Sequence, residues 1–311
     1  MAGIYVEQAL TFVILMLCAT AALTTLTQYM EPGLPDTDDV LLMSYTLSDN
    51  GATPAVKSEV EEKMKVVVEN LRQHPSVAAI SKGVDLAPYM RGDIHYLSDS
   101  VAVGSKKIKT YLKGSDAEGY RVFKPDVVQG TWLTGSRLAD GSLPVVITRE
   151  FADSAGWSSP IVGKQITVRN RQGTVVGVLS ALKQRVFGGS IPVAIVPVEA
   201  LAKGNANEET VVRVKPGEEQ AFSIAFYKEF NRLIQNAQPT LLSMEMMKAD
   251  SLSAKTIDLT IQLIPTLFLF LLAFIGTFGI FLLRSRRRVR EYALRIALGS
   301  TKRGLMLSVI F

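Results

Sequence analysis

The sequence predicts a membrane protein of α+β class, in which two transmembrane helices flank a two-lobed extracytoplasmic domain (an α/β lobe with an inserted β-rich lobe) and a short cytoplasmic helix follows. Three observations predict this. Two uncharged apolar runs, Ala9 to Leu26 and Ile261 to Leu283, are each about long enough to cross ~30 Å of hydrocarbon. The intervening stretch, 31–256, alternates strand-like and helix-like periodicity and is long enough for two small cores. The cluster "RSRRRVR" follows the second run at once.

The first span is placed within residues 1–30. No Lys or Arg precedes it, so the charged start of a signal peptide is missing, although "ATA" at 19–21 offers a cleavage site to the competing reading. The second span covers 257–283, with Pro265 near one end as a candidate kink and Gly276 and Gly279 as candidate sites of close helix approach. Arg284, Arg286, Arg287, Arg288 and Arg290 lie just beyond it. Basic residues at the end of a span fix that end in the cytoplasm, so the N-terminus is cytoplasmic and the domain between the spans is outside.

The domain begins with "EPGLPDTDD" (31–39), a non-helical exit. "DVLLMSYTLS" reads as a strand, and "PAVKSEVEEKMKVVVENLRQHPSV" as a helix with Val56, Val60, Met64, Val67, Val68 and Leu71 on one face. "VAAISKG" returns as a strand. This α/β lobe is expected over about 38–115 and again over 208–250, where a strand ("TVVRVKP") precedes an amphipathic helix ("GEEQAFSIAFYKEFNRLIQNA"). The β-rich lobe is expected over 116–207, built from "LPVVITREFADSAG", "VGKQITVRNRQGTVVGVLSAL" and "SIPVAIVPVEAL" and closed by the polar linker "AKGNANEE". "SVAVGSKKIKTYLKG" before it reads as a hairpin.

Composition excludes several function classes. The net charge of +5 is a local effect: eight of the 34 Lys and Arg lie between 284 and 303 beside one acid, Glu291, which leaves the rest of the chain slightly acidic. No basic stripe suggests a nucleic-acid surface, and none is expected as a partner. Cys18 is the only cysteine, so disulfides and thiolate metal sites are out. His74 and His95 lack a second ligand at metal spacing and read as surface or cap residues. Neither Gly188–Gly189 nor "LGSTKRG" has the order of a phosphate loop, and "RGD" at 91–93 is a common tripeptide. Trp132 and Trp157 read as packing residues. No catalytic, cofactor-binding or metal residue is expected.

The basic segment 284–303 carries more than an orientation signal. Past Arg290 it returns to helical periodicity with Tyr292, Leu294, Ile296, Ala297 and Leu298, and it pairs Glu291 with Arg295 in the favourable acid-first i,i+4 order. Gly299 is a C-cap candidate, and from 304 to 311 a new apolar stretch begins.

"REYALRIALGSTKRGLM" resembles the coupling-helix motif of FtsX-like permeases, the membrane subunits of MacB-like, mechanotransmission-type ABC transporters. The series "VVQGTWLT", "LPVVITREFADSAG", "PIVGKQITV" and "GTVVGVL" is similar to the extracytoplasmic core domain of the same family. The resemblance implies a non-catalytic permease subunit in the bacterial inner membrane, multi-pass, with its large domain outside. It implies ATP and magnesium on a cytoplasmic ABC ATPase partner and no cofactor in this chain, a second permease copy or homologue in a dimer, contact with the lipid bilayer, and other envelope proteins as further partners. The task implied is efflux or handling of an envelope substrate. By the same resemblance Glu291, Leu294, Arg295, Ala297, Leu298, Gly299, Thr301 and Lys302 form the ATPase-coupling motif. Glu291 and Arg295 would orient the helix, Leu294 and Leu298 would supply the apolar contact, and Gly299 the turn. Ile296 stands where the family is commonly basic. Two further spans follow the coupling helix in that family, so Phe311 is expected to be the edge of a fragment. A two-span receptor, whose outer domain binds a ligand, and a truncated remnant are the competing readings.

Overall fold

The computed structural model describes residues 2–48, 53–89, 98–201 and 208–299. They form two compact units, one of residues 27–255 and one of 1–26 with 256–311. The elements in chain order are α1 (Ala2–Met30), β1 (Val40–Leu47), α2 (Pro54–Arg72), β2 (Val77–Val84), β3 (Ser98–Val103), β4 (Lys106–Ser115), α3 (Gly119–Phe123), β5 (Val127–Gly130) and β6 (Leu143–Thr148). There follow α4 (Arg149–Ser154), β7 (Gln165–Val168), β8 (Arg171–Leu179), β9 (Val193–Pro197), α5 (Val198–Leu201), β10 (Glu208–Val214), α6 (Glu219–Leu233), β11 (Ala237–Ser243) and α7 (Met244–Ala297). His95, the RGD tripeptide and most of the linker after α5 lie outside the described residues.

The first lobe of the larger unit is a four-stranded antiparallel sheet in the order β11-β1-β10-β2. With α2 and α6 it makes two interleaved β-α-β units, a split arrangement that buries one sheet face under both helices. α2 starts at Thr53, whose hydroxyl accepts the Val56 N–H at 3.5 Å, with Pro54 in the first turn. Its buried stripe is Val60, Met64, Val67, Val68 and Leu71. α6 contributes Phe222, Phe226 and Phe230, spaced one turn apart and fully buried against Leu41, Met43 and Val212. The ring of Phe226 lies 6.4 Å from that of Phe222 and 5.8 Å from that of Phe230. Removing it opens a cavity at the centre of this cluster. Phe226→Ala is therefore expected to cost about 3–5 kcal/mol, read as a fall of roughly 10 °C in thermal unfolding. A change of under about 2 °C would contradict this assignment of the core.

The inserted lobe is a closed ring. Its strands run β4-β3-β7-β8-β6-β9 and return to β4 through a parallel pairing of Tyr111–Ser115 with Val193–Pro197. Six strands close into a barrel with no room inside except for side chains. Val101, Ile108, Leu112, Val145, Ile166 and Val175 are among those that fill it. The β3–β7 seam is the narrowest, a single pair of Ala102 with Thr167. β5 pairs with the end of β8, beyond the residues that β8 pairs with β7. There Gly130 has φ +73°, and a Cβ on it would stand 2.0 Å from the Val176 carbonyl oxygen, so only glycine fits.

Two expectations change. The β3–β4 hairpin, expected with the α/β lobe, belongs to the barrel, so the insertion starts near residue 85 rather than 116. The alternation of "SVAVGSKKIKTYLKG" identifies a hairpin, while its barrel neighbours β7 and β9 come from far later in the chain. β11 was not expected at all: Pro239 interrupts its pattern, and a proline is tolerated there because β11 is an edge strand.

The lobes meet through two paired residues on each side, Gly83–Val84 of β2 and Gly114–Ser115 of β4. The segment that crosses between them is held by two buried charges. Lys113 donates through Nζ to the carbonyls of Asp85 and, at 3.4 Å, of Leu86. Oε2 of Glu209 accepts the N–H groups of Leu86 at 3.0 Å and Ala87 at 2.8 Å.

In the smaller unit, Cys18 Sγ and Thr266 Oγ1 are 3.2 Å apart. Hydroxyls of Thr20, Thr25 and Thr266 bond back to carbonyls one turn earlier, which satisfies them without water. α7 continues through Pro265. An added Cβ at Gly276 or Gly279 would meet nothing within 4 Å, so the described residues bring no helix close to that face. On the same helix Phe270, Phe274 and Phe278 stack in a ladder.

Candidate coupling segment

α7 is one helix from Met244 to Ala297. The second span and the basic segment, expected as separate elements at 257–283 and 284–303, are therefore continuous. Between Ile280 and Leu298 there is neither glycine nor proline, and Arg and Leu dominate, both strong helix formers. The polarity changes abruptly at Arg284, but the backbone ladder is indifferent to polarity. The helix ends as the C-cap reading predicted: Leu298 N–H donates to the Leu294 carbonyl and Gly299 N–H to that of Ile296, both at 3.0 Å, and Gly299 turns left-handed at φ +95°.

Leu294 and Leu298 stand one turn apart on one face and are 65% and 80% exposed. Leu298 is the most exposed large hydrophobic side chain among the described residues. Ala297, Ile296 and Arg286 are exposed as well. Glu291 and Arg295 occupy the helix one turn apart, and Arg284, Arg287, Arg288 and Arg290 fall on the turns before them. Thr301 and Lys302 lie outside the described residues. A short apolar pair flanked by charge suits contact with a protein surface.

The other end of α7 belongs to a core. Ser243 ends β11 and Met244 begins the helix. Met244 is fully buried with Val40, Leu42, Ala79, Phe123 and Val211, and Met247 packs on the same cluster.

Elsewhere the chemistry is structural. No cluster of metal-binding side chains is present among the described residues. His74 sits at the end of α2 with Nδ1 2.6 Å from Ser76 Oγ, a cap. Trp132 is buried and donates from Nε1 to the Asp116 carbonyl at 3.2 Å, while Trp157 lies edge-on to Phe151 and under Lys164 Nζ. A cavity of about 20 Å³ beside Lys113, Lys183 and Gln184 has room for one water and no ligand. An open groove holds Arg121, Lys124 and Arg213, whose charges already meet Glu118 and Asp36. In Asp36, burial favours the neutral acid, but the hydrogen bonds and charge of Lys124 and Arg213 outweigh it and hold its pKa below the usual carboxylate range. The buried Lys113, Lys183, Glu209 and Arg213 were missed because single charges within strands and loops read as solvent-facing. Their only sequence signal is position inside otherwise apolar runs.

A model of the MacB-like periplasmic core domain matches residues 9–222. The chain belongs to that family. The match begins in α1 and ends in α6, so α7 and the coupling segment lie beyond it. A curated relative, the pyoverdine export ATP-binding/permease protein PvdT of Pseudomonas fluorescens (strain Pf0-1), is 26% identical over 228 residues. The alignment covers 66% of this chain and 33% of that protein, so the chain spans about a third of its relative's length. Among solved structures, the extracellular domain of the noncanonic ABC-type transporter YknZ from Gram-positive bacteria aligns with TM-score 0.46 and 16% identity, over 65% of this chain and 99% of that one. The periplasmic region of MacB from Actinobacillus actinomycetemcomitans aligns with TM-score 0.47 and 13% identity, over 69% and 92%. A MacB-like core domain flanked by two helices long and apolar enough to span a bilayer makes the chain a membrane protein of ABC-permease type.

Proposed function

We propose that this MacB-like chain is the permease part of an ABC transporter in the bacterial inner membrane, carrying motion of a cytoplasmic ATPase outward to its core domain. The observation that supports this most directly is α7, one unbroken helix with its first turn in the core of the outer domain and its last at the exposed Leu294–Leu298 pair. ATP and magnesium would reside on the ATPase, on a partner or elsewhere in the same polypeptide, and a second permease copy would complete the membrane part. Efflux or handling of an envelope substrate is the proposed output. The resemblance to the coupling motif supplies the roles: Leu294 and Leu298 as apolar contact, Glu291 and Arg295 as orienting charges, and Gly299 as the turn, with Thr301 and Lys302 completing the motif.

A break in the helix tests this. Three glycines inserted after Thr256 weaken α7 by about 3 kcal/mol of helix propensity without touching either end. In the native complex, ATP with vanadate is expected to change hydrogen exchange in β11 and the sheet beside it in the unaltered chain, and the insertion is expected to abolish that change while leaving ATPase binding intact. A response that survives the insertion would mean that α7 does not carry the motion.

A further inference from the structure

We infer that Lys183 fastens the end of the first span to the barrel lobe while the second span springs from the α/β sheet, so that the two spans act on different lobes of the outer domain. This rests on the transmission reading above.

The chain after β8 folds into a cradle. Lys183 is fully buried, and its Nζ donates to the carbonyls of Gln28 at 2.5 Å and Glu31 at 3.1 Å, while its own N–H donates to the Gly33 carbonyl at 2.7 Å. The last carbonyls of a helix have no partner within it, and a cation placed there satisfies them and complements the helix dipole. Around this contact, the ring of Phe187 lies 5.8 Å from that of Tyr29, and the Ser190 N–H donates to the Glu31 carboxylate at 3.2 Å. Gly33, at φ +110°, lies so close that a Cβ on it would meet the Cβ of Ala181 at 2.8 Å. Every group of the cradle comes from residues 181–190, between the barrel strands β8 and β9.

α7 is held differently: its first residue is buried in the apolar cluster under the four-stranded sheet. The chain after α1 changes hands quickly. By Asp36 it is held by Arg213 of β10, which donates to the carbonyls of Asp36 and Asp38 at 2.8 Å each. The cradle over 28–33 is thus what assigns the end of α1 to the barrel. The two lobes are joined by the short β2–β4 pairing, by the buried clamp on residues 85–87 and by α3, whose Val122 and Phe123 pack in the cluster that holds Met244. Burial draws the pKa of Lys183 below that of an ordinary lysine, and the charge of Glu31 opposes this.

The test is lobe-resolved hydrogen exchange on the native complex, with and without ATP and vanadate. In the unaltered chain both lobes are expected to respond. In Lys183→Met the response across 98–201 is expected to vanish while that of β11 and the start of α7 persists, and Lys183→Arg is expected to restore both. If Lys183→Met does not fold, Phe187→Ala opens the same cradle from its half-buried side and predicts the same selective loss. A barrel response unchanged in these variants overturns the assignment of Lys183, and so does a loss that strikes both lobes equally. No response in either lobe of the unaltered chain overturns the transmission reading, and this inference with it.

Discussion

On the coupling role proposed above, Leu298→Asp is expected to detach the chain from the ATPase and leave its own fold unchanged. The side chain is 80% exposed within this chain, so the substitution removes no internal contact. Burying a leucine at an interface is worth about 1.5–3 kcal/mol, and forcing an unpaired carboxylate into the same place adds a penalty of a few kcal/mol. A combined loss of about 4 kcal/mol weakens association roughly a thousandfold. Solubilised complexes carrying the substitution should lose the ATPase on affinity purification, whereas Leu298→Met should keep it. Thermal unfolding should match the unaltered protein for both. Co-purification at full yield with Leu298→Asp would remove the apolar pair from the coupling role.

The second large effect concerns the clamp between the lobes. Lys113→Ala leaves Glu209 buried beside Asp85 with its cation gone, and breaking such an arrangement typically costs about 3–5 kcal/mol. The pair also gives stability a distinct pH profile. Burial raises the Glu209 carboxyl to about 7, against the N–H of Ala87, the charge of Lys113 and the N–H of Leu86, with Asp85 adding to the rise. Burial lowers Lys113 to about 8, against Glu209 and Asp85. For Glu209 the folded value exceeds the unfolded 4.5, so its contribution is complete below that pH and is lost as pH rises to about 7. For Lys113 the folded value is below 10.5, so stability recovers as pH climbs above about 8. Unfolding temperature should fall from pH 5 to 7 and turn upward past 8. Glu209→Gln should flatten the descending limb, which at 1.36 kcal/mol per pH unit is worth on the order of 3 kcal/mol. An unaltered slope in that variant would place the titration elsewhere.

What the sequence made legible followed periodicity. The stripe of α2, the three phenylalanines of α6, the hairpin of β3 and β4 and the two apolar helices all repeat at the spacing of their element. What escaped depended on long-range partners. Nothing local says that "KKIKTYLKG" pairs in parallel with Val193–Pro197, which is why the lobe boundary was misplaced. Pro239 hid β11. The arginines after Leu283 mimicked a break in a helix whose hydrogen bonds run straight through them. In the candidate site, the Leu294–Leu298 face and the Gly299 cap were readable from spacing, but the anchorage was not. Lys183 lies beside the Gly188–Gly189 pair, which has no phosphate-loop order and instead sits against α1's end, where a Cβ on Gly189 would stand 3.5 Å from the Glu31 carboxylate.

The strand order carries a consequence for how the chain is made. β1 and β2 do not touch: β10 fills the slot between them. A ribosome that has finished β2 at Val84 must add about 130 residues before β10 is complete at Val214, which takes roughly 6–25 s at ordinary rates of synthesis. During that interval both strands hold open edges beside an empty slot, and the α2 stripe has only part of a sheet to cover. The barrel, complete by Pro197, can close first. The nascent core domain therefore passes through a stage with a finished insert and an unfinished host, and that stage is where a holding chaperone would find its substrate.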